Sequence, residues 1–246
     1  MELASPGFSV YLTISWPSPQ GFAQLLRGLE PCVDFLELGI PSRSPVYDGP
    51  TIRRTHMEAS RHTGPWRALE LVAEVKPGRP FIVMAYMQEH PLERLLGEAS
   101  RVGARSVLLP DLPFEYPDMI ERYVETSRSV GLEPSLFASP KFPHHLLARY
   151  RELEPLLVYL GLQPATGVKL PARMLENIRL ARSLLGDTYL LAGFSISSGS
   201  QARRILGAGA SGVVIGSHIA RIAMDRGPEA AAREACRIYE TVHGGG

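Results

Sequence analysis

Residues 34–50 read Asp34-Phe-Leu-Glu-Leu-Gly-Ile-Pro-Ser-Arg-Ser-Pro-Val-Tyr-Asp48-Gly-Pro50. The stretch begins as an apolar strand around one carboxylate, Glu37, and turn-forming glycines and prolines follow at once. A charged group at the end of an apolar strand is costly to bury unless something uses it. In a parallel α/β protein, that end of the strand is where ligands bind. The pattern therefore predicts a rigid acid, Glu37, held by a strand and a mobile acid, Asp48, carried by a loop.

Strand-like and helix-like segments alternate along the whole chain. The predicted strands are residues 8–14, 33–38, 80–86, 106–109, 134–138, 156–160, 189–193 and 212–215. The predicted helices are residues 19–28, 65–75, 92–102, 119–130, 143–152, 171–185, 200–206, 218–225 and 228–242. Alternation of this kind indicates βαβ units and a parallel sheet. Eight units favour a closed (β/α)8 TIM barrel, with an open doubly wound sheet as the alternative.

No linker divides the sequence, so residues 1–246 are expected to form a single (β/α)8 barrel domain. The longest stretch without clear periodicity is residues 41–64, after the second predicted strand. Loops of that length in compact domains are usually lids or binding loops. This segment is therefore predicted to be a loop that covers or binds a ligand.

Composition argues for a cytoplasmic protein. The 246 residues carry a formal net charge of +1, which favours neither nucleic acid nor an anionic membrane as a partner. No signal-peptide pattern or membrane-length apolar run is present. Cys32 and Cys236 lie far apart and are expected to be buried free thiols in a reducing compartment. Basic residues are nearly all arginine, which fits a heat-adapted source or a GC-rich genome.

The two acids suggest acid/base chemistry. Glu37 has Phe35, Leu36 and Leu38 beside it, and a desolvated carboxyl can hold or release a proton near neutral pH. Carboxylates in different environments can divide the roles of acid and base. The alternative is structural: Glu37 would then form a buried ion pair, and Asp48 would be a solvated turn residue.

Two glycine- and serine-rich turns near the end of the chain suggest a phosphate site. They are Ala192-Gly-Phe-Ser-Ile-Ser-Ser198 and Ala208-Gly-Ala-Ser-Gly-Val-Val-Ile-Gly-Ser217, which contain the last two predicted strand ends. In TIM barrels, the loops after strands seven and eight often bind phosphate through backbone N–H groups and a helix N-terminus. The alternative is that they are tight turns with serine N-caps.

Other sites are not indicated. His144 and His145 are adjacent and lack metal-ligand spacing, so no metal is expected. Residues 193–197 lack the closing glycine of a nucleophile elbow, which argues against a serine hydrolase. Residues 207–212 follow a helix and precede a strand, the reverse of a dinucleotide fingerprint. Aromatic residues are scattered, so no base-stacking stripe is present.

Several motifs, taken in order, resemble the tryptophan synthase alpha subunit family. They are Phe35-Leu-Glu-Leu-Gly-Ile-Pro41, Asp48-Gly-Pro-Thr-Ile52, Pro80-Phe-Ile-Val-Met-Ala-Tyr86, Leu109-Pro-Asp-Leu-Pro-Phe-Glu115, Thr166-Gly167, Gly193-Phe-Ser-Ile-Ser-Ser198 and Gly209-Ala-Ser-Gly-Val-Val-Ile-Gly-Ser217. The resemblance implies a (β/α)8 barrel that cleaves indole-3-glycerol phosphate to indole and glyceraldehyde 3-phosphate, without metal or cofactor.

The resemblance also implies site residues. Glu37 would be the principal acid/base, and Asp48 would accept a hydrogen bond from the indole N–H. Thr166 would hold Asp48 when a lid closes. Further substrate contacts would come from Tyr86, Tyr159 and Phe194. Phosphate would be bound by Gly167, Gly193, Ser195, Gly216 and Ser217.

The partner that the resemblance implies is the tryptophan synthase beta subunit, a pyridoxal-phosphate enzyme that would form a heterotetramer with this chain. Two other interpretations of the sequence remain open. One is another phosphosugar enzyme on the same fold, such as the synthase of indole-3-glycerol phosphate, which would need a lysine at a strand end. The other is a non-catalytic barrel that only binds and activates a beta subunit.

Overall fold

A closed parallel barrel forms the centre of the protein. The computed structural model describes residues 3–161, 174–193 and 196–244, without the side chain of His144. Within those ranges, eight strands close the barrel in sequence order. They are Gly7–Thr13 (β1), Phe35–Gly39 (β2), Phe81–Met84 (β3), Ser106–Leu108 (β4), Ser135–Ala138 (β5), Leu157–Gly161 (β6), Leu190–Gly193 (β7) and Gly212–Ile215 (β8). The predicted (β/α)8 barrel is confirmed, because β1 pairs with both β2 and β8.

Helices surround the barrel. Those in the described residues are Pro19–Leu29 (α1), Pro50–Ala59 (α2), Pro65–Val75 (α3), Leu92–Arg101 (α4), Leu112–Glu115 (α5), Ile120–Ser129 (α6), His144–Glu152 (α7), Met174–Leu185 (α8), Gly199–Gly207 (α9), Ser217–Arg226 (α10) and Pro228–His243 (α11). Each predicted helix corresponds to one of them, although residues 171–173 lie outside the described ranges. None of these helices has both the length and the apolar character that crossing a membrane requires.

Helix α2 corrects the prediction that residues 41–64 form one long loop. It begins at Pro50, which suits a first helical position because proline lacks the N–H that would go unpaired there. Its buried residues are Ile52, Thr55, His56 and Ala59. Two of those four are polar, so the apolar periodicity that marks a helix is weak here. The loop that carries Asp48 is correspondingly shorter.

The two cysteines also differ from the prediction. Cys32 and Cys236 form a disulfide bond across 204 positions of sequence, so the expectation of free thiols is wrong. Cys32 ends a short 3-10 turn, Glu30–Cys32, that precedes β2 and packs against α11. Cys236 lies on α11, near the other end of the chain. The bond therefore ties the C-terminal helix to the segment that leads into β2.

Two glycines at strand ends make room for tyrosines in the mouth of the barrel. A Cβ atom at Gly39, which ends β2, would overlap the hydroxyl of Tyr11 on β1. A Cβ atom at Gly193, which ends β7, would overlap the hydroxyl of Tyr159 on β6. Only glycine allows so close an approach to the backbone. Both rings can therefore lie in the cavity that Glu37 also lines.

Candidate functional site

A cavity opens at the carboxyl ends of the strands. Its described lining residues are Tyr11, Glu37, Asp48, Ile52, Met84, Tyr159, Ile196, Val214, Gly216 and Ser217. They come from β1, β2, β3, β6, β8, the acid-bearing loop, α2, α10 and the segment before α9. Both predicted acids and residues from both predicted phosphate turns therefore face the same space. The structure brings these distant parts of the sequence together because the strands are parallel.

Glu37 is the most unusual group in the cavity. It lies in the middle of β2 with 1% of its surface exposed. Neither carboxylate oxygen has a hydrogen-bond partner among the described residues. Burial, with the nearby Asp48 carboxylate as the second cause, raises the pKa of Glu37 from 4.5 to about 8. The group therefore carries a proton at neutral pH and can act as an acid.

Asp48 is buried at the end of a tight turn. Its backbone N–H donates to the Pro45 carbonyl at 3.1 Å, and its own carbonyl accepts from Arg53 Nε at 2.6 Å. The Tyr86 hydroxyl donates to Asp48 Oδ2 at 2.7 Å. His56 Nε2 lies 3.5 Å from the same oxygen. The acid on the loop is therefore anchored through both its backbone and its carboxylate.

Glu89 holds the beginning of the acid-bearing loop. Its Oε1 accepts from the Ser42 hydroxyl at 2.7 Å, from the Ser44 N–H at 2.8 Å and from the Arg43 N–H at 3.0 Å. One carboxylate thus satisfies three consecutive residues that would otherwise need water or other partners. Charge-assisted bonds of this kind are stronger than neutral ones. Glu89 therefore fixes the path by which the chain leaves β2.

Asp111 holds the turn on which Glu89 lies. The turn is the 3-10 segment Met87–Glu89 after β3. Asp111 is fully buried, and its two carboxylate oxygens accept from the Met87 and Gln88 N–H groups at 3.0 Å each. A chain of carboxylate contacts consequently runs from the end of β4, through the turn after β3, to the loop that carries Asp48.

The cavity tyrosines stay protonated. Burial, followed by the Asp48 carboxylate, raises the pKa of Tyr11 well above its usual value. Burial, followed by the Glu37 carboxylate, raises the pKa of Tyr159 in the same direction. Neutral hydroxyls can donate hydrogen bonds to anions or to a substrate without adding negative charge. The two rings therefore desolvate the acids without repelling them.

The start of α10 forms another part of the cavity wall. Gly216 precedes this helix and Ser217 is its first residue. A Cβ atom at Gly216 would lie 3.2 Å from Tyr11 Cβ, so the backbone approaches the ring closely. The first N–H groups of a helix have no partner within the helix and are directed toward its N-terminal end. This geometry suits a bound anion that enters the cavity.

Some of the remaining predicted site residues lie in the described part of the chain and others do not. Thr166, Gly167, Phe194 and Ser195 lie outside the described residues. Gly193 packs against Tyr159, and Tyr86 contacts Asp48 through its hydroxyl. Among the described residues, no group of three or more His, Cys, Asp and Glu side chains is placed to hold a metal ion.

Tyr11, Glu89 and His56 carry no signal in the sequence that marks them as part of the site. Tyr11 resembles an ordinary core residue of a strand, and Glu89 an exposed charge in a turn. His56 could have been found only by assigning α2, which places it on the buried face with Ile52 and Ala59.

Comparison with known proteins identifies the family. The family model described as "Tryptophan synthase alpha chain" matches residues 2–243. The chain belongs to the tryptophan synthase alpha chain family. The tryptophan synthase alpha chain of Saccharolobus solfataricus is 33% identical over 211 residues, which cover 85% of each chain. That of Sulfurisphaera tokodaii is 29% identical over 210 residues, covering 84% of this chain and 85% of the relative.

Solved structures of the family have the same fold. A mutant tryptophan synthase alpha-subunit from the hyperthermophile Pyrococcus furiosus superposes with a TM-score of 0.86 at 25% identity, covering 98% of this chain and 99% of the other. A chain from the crystal structure of the tryptophan synthase complex of the same organism gives a TM-score of 0.85, with the same identity and coverage. The barrel therefore follows the architecture of this family.

Proposed function

We propose that this chain is the alpha subunit of a tryptophan synthase and cleaves indole-3-glycerol phosphate to indole and glyceraldehyde 3-phosphate. The reaction is a retro-aldol cleavage that uses neither metal nor cofactor. One observation carries the proposal: a buried carboxylic acid, Glu37, remains protonated at neutral pH in the cavity that also contains Asp48 and the start of α10.

Protonated Glu37 supplies the first step. It delivers its proton to the indole ring carbon that carries the glycerol phosphate side chain, and the ring becomes an electron sink. The neighbouring hydroxyl then loses its proton, the carbon–carbon bond breaks, and its electron pair restores the aromatic ring. The hydroxyl proton returns to the Glu37 carboxylate, so the enzyme ends the cycle as it began. The aldehyde that leaves is glyceraldehyde 3-phosphate.

Asp48 stabilises the charge that forms at the ring nitrogen. When the ring carbon is protonated, positive charge develops at the nitrogen, and a carboxylate that accepts its N–H stabilises that state. The Tyr86 hydroxyl donates a hydrogen bond to the Asp48 carboxylate and holds it in place before substrate arrives. An anchored carboxylate needs little reorganisation during the reaction, and this preorganisation is the source of its effect.

The phosphate group binds at the start of α10. The N–H groups at the start of α10, at Gly216 and Ser217, are the described part of this site. Gly167, Gly193 and Ser195 are proposed to complete it, and Phe194 and Tyr159 to contact the indole ring. Thr166 is proposed to secure Asp48 when substrate is bound. Binding at both ends holds the scissile bond between the acid and the phosphate.

The proposed partner is a tryptophan synthase beta subunit, which would receive the indole. We further propose that residues 1–246 form one domain and that the protein is cytoplasmic. The Cys32–Cys236 disulfide is compatible with this location in a heat-adapted source, because intracellular proteins of hyperthermophiles are often rich in disulfides.

The test measures indole release from indole-3-glycerol phosphate by the purified chain, alone and with a beta subunit. Wild-type protein should release indole slowly alone and faster with the partner. Glu37→Gln removes the proton donor but keeps the shape, and should lower the turnover rate by at least about 100-fold. Asp48→Asn should also lower it severely, because the amide cannot balance positive charge at the ring nitrogen.

A matched control is Glu115→Gln, which changes a glutamate whose carboxylate accepts from Tyr47 at the exposed rim. It should retain near-normal turnover. Absence of indole release from the wild type under both conditions would contradict the proposed activity. Near-normal turnover by Glu37→Gln would contradict the role of Glu37 specifically.

A further inference from the structure

His56 occupies a central position between the acid-bearing loop and Asp48. It lies on the buried face of α2, and 3% of its side chain is exposed. Its Nδ1 atom is 3.0 Å from the backbone nitrogen of Ser42, at the start of the loop. Its Nε2 atom is 2.9 Å from the Tyr11 hydroxyl oxygen and 3.5 Å from Asp48 Oδ2. One imidazole therefore contacts both ends of the loop.

The contact with Ser42 fixes the tautomer of the ring. A backbone N–H can only donate, so Nδ1 of His56 must accept. An accepting Nδ1 carries no proton, and the proton of the neutral ring must therefore be on Nε2. This N–H faces Tyr11 and Asp48. The neutral ring is thus a donor on the side of the acid.

The hydrogen bonds among the neighbouring hydroxyls all donate in one direction, which supports this assignment. Thr55 donates its hydroxyl proton to the Ile52 carbonyl at 2.7 Å. Thr13, 2.6 Å from Thr55 Oγ1, must therefore donate to it, and Tyr11 can donate to Thr13 at 3.4 Å. The Tyr11 oxygen is then left to accept from His56. The single Nε2–H of His56 therefore donates to the Tyr11 oxygen at 2.9 Å and faces Asp48 Oδ2 at the longer distance of 3.5 Å, so the two oxygens share one proton.

We propose that His56 is a positioning residue for Asp48: through Nδ1 it anchors the start of the loop that carries the acid, and through its Nε2–H, which Tyr11 and Asp48 share, it orients the carboxylate. The inference rests on the proposed function, in which Asp48 accepts the indole N–H. The imidazole does not touch the reacting atoms. It acts by holding Asp48 where a substrate can meet it, together with Tyr86 on the same oxygen.

Two variants separate the functions of the two ring nitrogens. His56→Asn keeps an acceptor near the position of Nδ1 but has no atom at that of Nε2. His56→Gln places an amide nitrogen near the position of Nε2 but lacks the acceptor. Each should lower kcat/KM for indole release by about tenfold or more, the usual effect of losing a hydrogen bond to a charged group. The control is His62→Asn, whose ring contacts the Ser15 carbonyl away from Asp48 and which should stay within about twofold of wild type.

A double-mutant cycle decides whether His56 acts through Asp48. In the Asp48→Asn background, either His56 variant should lower kcat/KM by no more than about twofold further. The proposal would be overturned if each double variant lost kcat/KM by the product of its two single losses. It would also be overturned if the single His56 variants had the kcat/KM of wild type. Thermal unfolding shows whether each variant is folded. If His56→Asn does not fold, the double-mutant cycle is measured with His56→Gln.

Nitrogen NMR of the histidine ring provides a readout that does not depend on turnover. Long-range ¹H–¹⁵N spectra of wild-type protein should show the His56 proton on Nε2, and its Nε2 signal should move in Asp48→Asn. A proton on Nδ1, or an Nε2 chemical shift that is the same in wild type and Asp48→Asn, would overturn the positioning role. Failure of the proposed function would appear differently, as a wild type that shows these signals but releases no indole.

Discussion

Replacing Glu37 with glutamine should stabilise the protein relative to wild type, by an amount that grows as the pH rises. Glu37 is buried without a described hydrogen-bond partner, and its pKa is raised from 4.5 to about 8 by burial and then by Asp48. Keeping this acid protonated in the folded state opposes folding once the unfolded chain can ionise. Glutamine has a similar shape and does not titrate. Glu37→Gln therefore removes the pH-dependent cost.

The sign and size follow from the two pKa values. Below about pH 4.5 the Glu37 carboxyl is protonated in both states, and it contributes no pH dependence. Between about pH 4.5 and 8 the unfolded state binds fewer protons than the folded state, so wild-type stability falls with rising pH by about 1.4 kcal/mol per pH unit. Above about pH 8 the loss is complete and amounts to about 5 kcal/mol.

The assay is chemical denaturation of wild type and Glu37→Gln at matched pH values between about 5 and 8. All other titrating groups are common to both proteins, so the difference between the two unfolding free energies isolates Glu37. That difference should grow in favour of the variant by about 4 kcal/mol across the range. A difference that stays constant with pH would refute the reasoning, because Glu37 would then titrate as it does in the unfolded chain.

Three further predictions concern the scaffold. Cys32→Ser should lower the free energy of unfolding by about 5 kcal/mol, the loop-closure entropy of a 204-residue loop, and reductant should destabilise wild type but not the variant. Glu89→Ala should lower kcat/KM for indole release by about tenfold with little change in Tm, because it frees the loop at Ser42; Glu93→Ala, an exposed glutamate paired with Arg122, is the control. Gly193→Ala should lower Tm by several degrees, since its Cβ would overlap the Tyr159 hydroxyl, whereas Gly64→Ala meets no atom within 4 Å and should have little effect.

Much of the fold could be predicted from the sequence because strands and helices alternate with clear punctuation. The short apolar runs bounded by glycine and proline gave all the strands of the barrel in the described residues. Helix α2 was missed for a physical reason: its buried face carries Thr55 and His56, which use their polar atoms in hydrogen bonds instead of apolar contacts. Apolar periodicity does not detect a face of that kind.

The site was predictable where one residue differs from its surroundings. Glu37 could be recognised as an acid within an apolar strand, and Asp48 by the turn that follows it. Tyr11 and Glu89 could not, because their roles depend on partners far away in sequence. Tyr11 lies in the cavity because Gly39 leaves space for its ring. Glu89 positions the acid-bearing loop because the Ser42 hydroxyl donates a hydrogen bond to it.

The disulfide shows the same limit at longer range. Cys32 and Cys236 lack any spacing that would indicate a bond, and they meet because α11 returns to pack beside the turn before β2. Pairing across 204 positions is a property of the closed barrel and its outer helices. Sequence spacing predicts disulfides in short chains, where few pairings are possible.

The most direct test of the account is a ¹³C NMR titration of the Glu37 side-chain carboxyl, with Glu37→Gln used to assign the signal. The structure predicts that this carboxyl titrates with an apparent pKa near 8, because of burial and the nearby Asp48. It should therefore carry a proton at neutral pH, ready for the indole ring. A carboxyl that titrates near 4.5, the usual value for glutamic acid, would contradict the central claim.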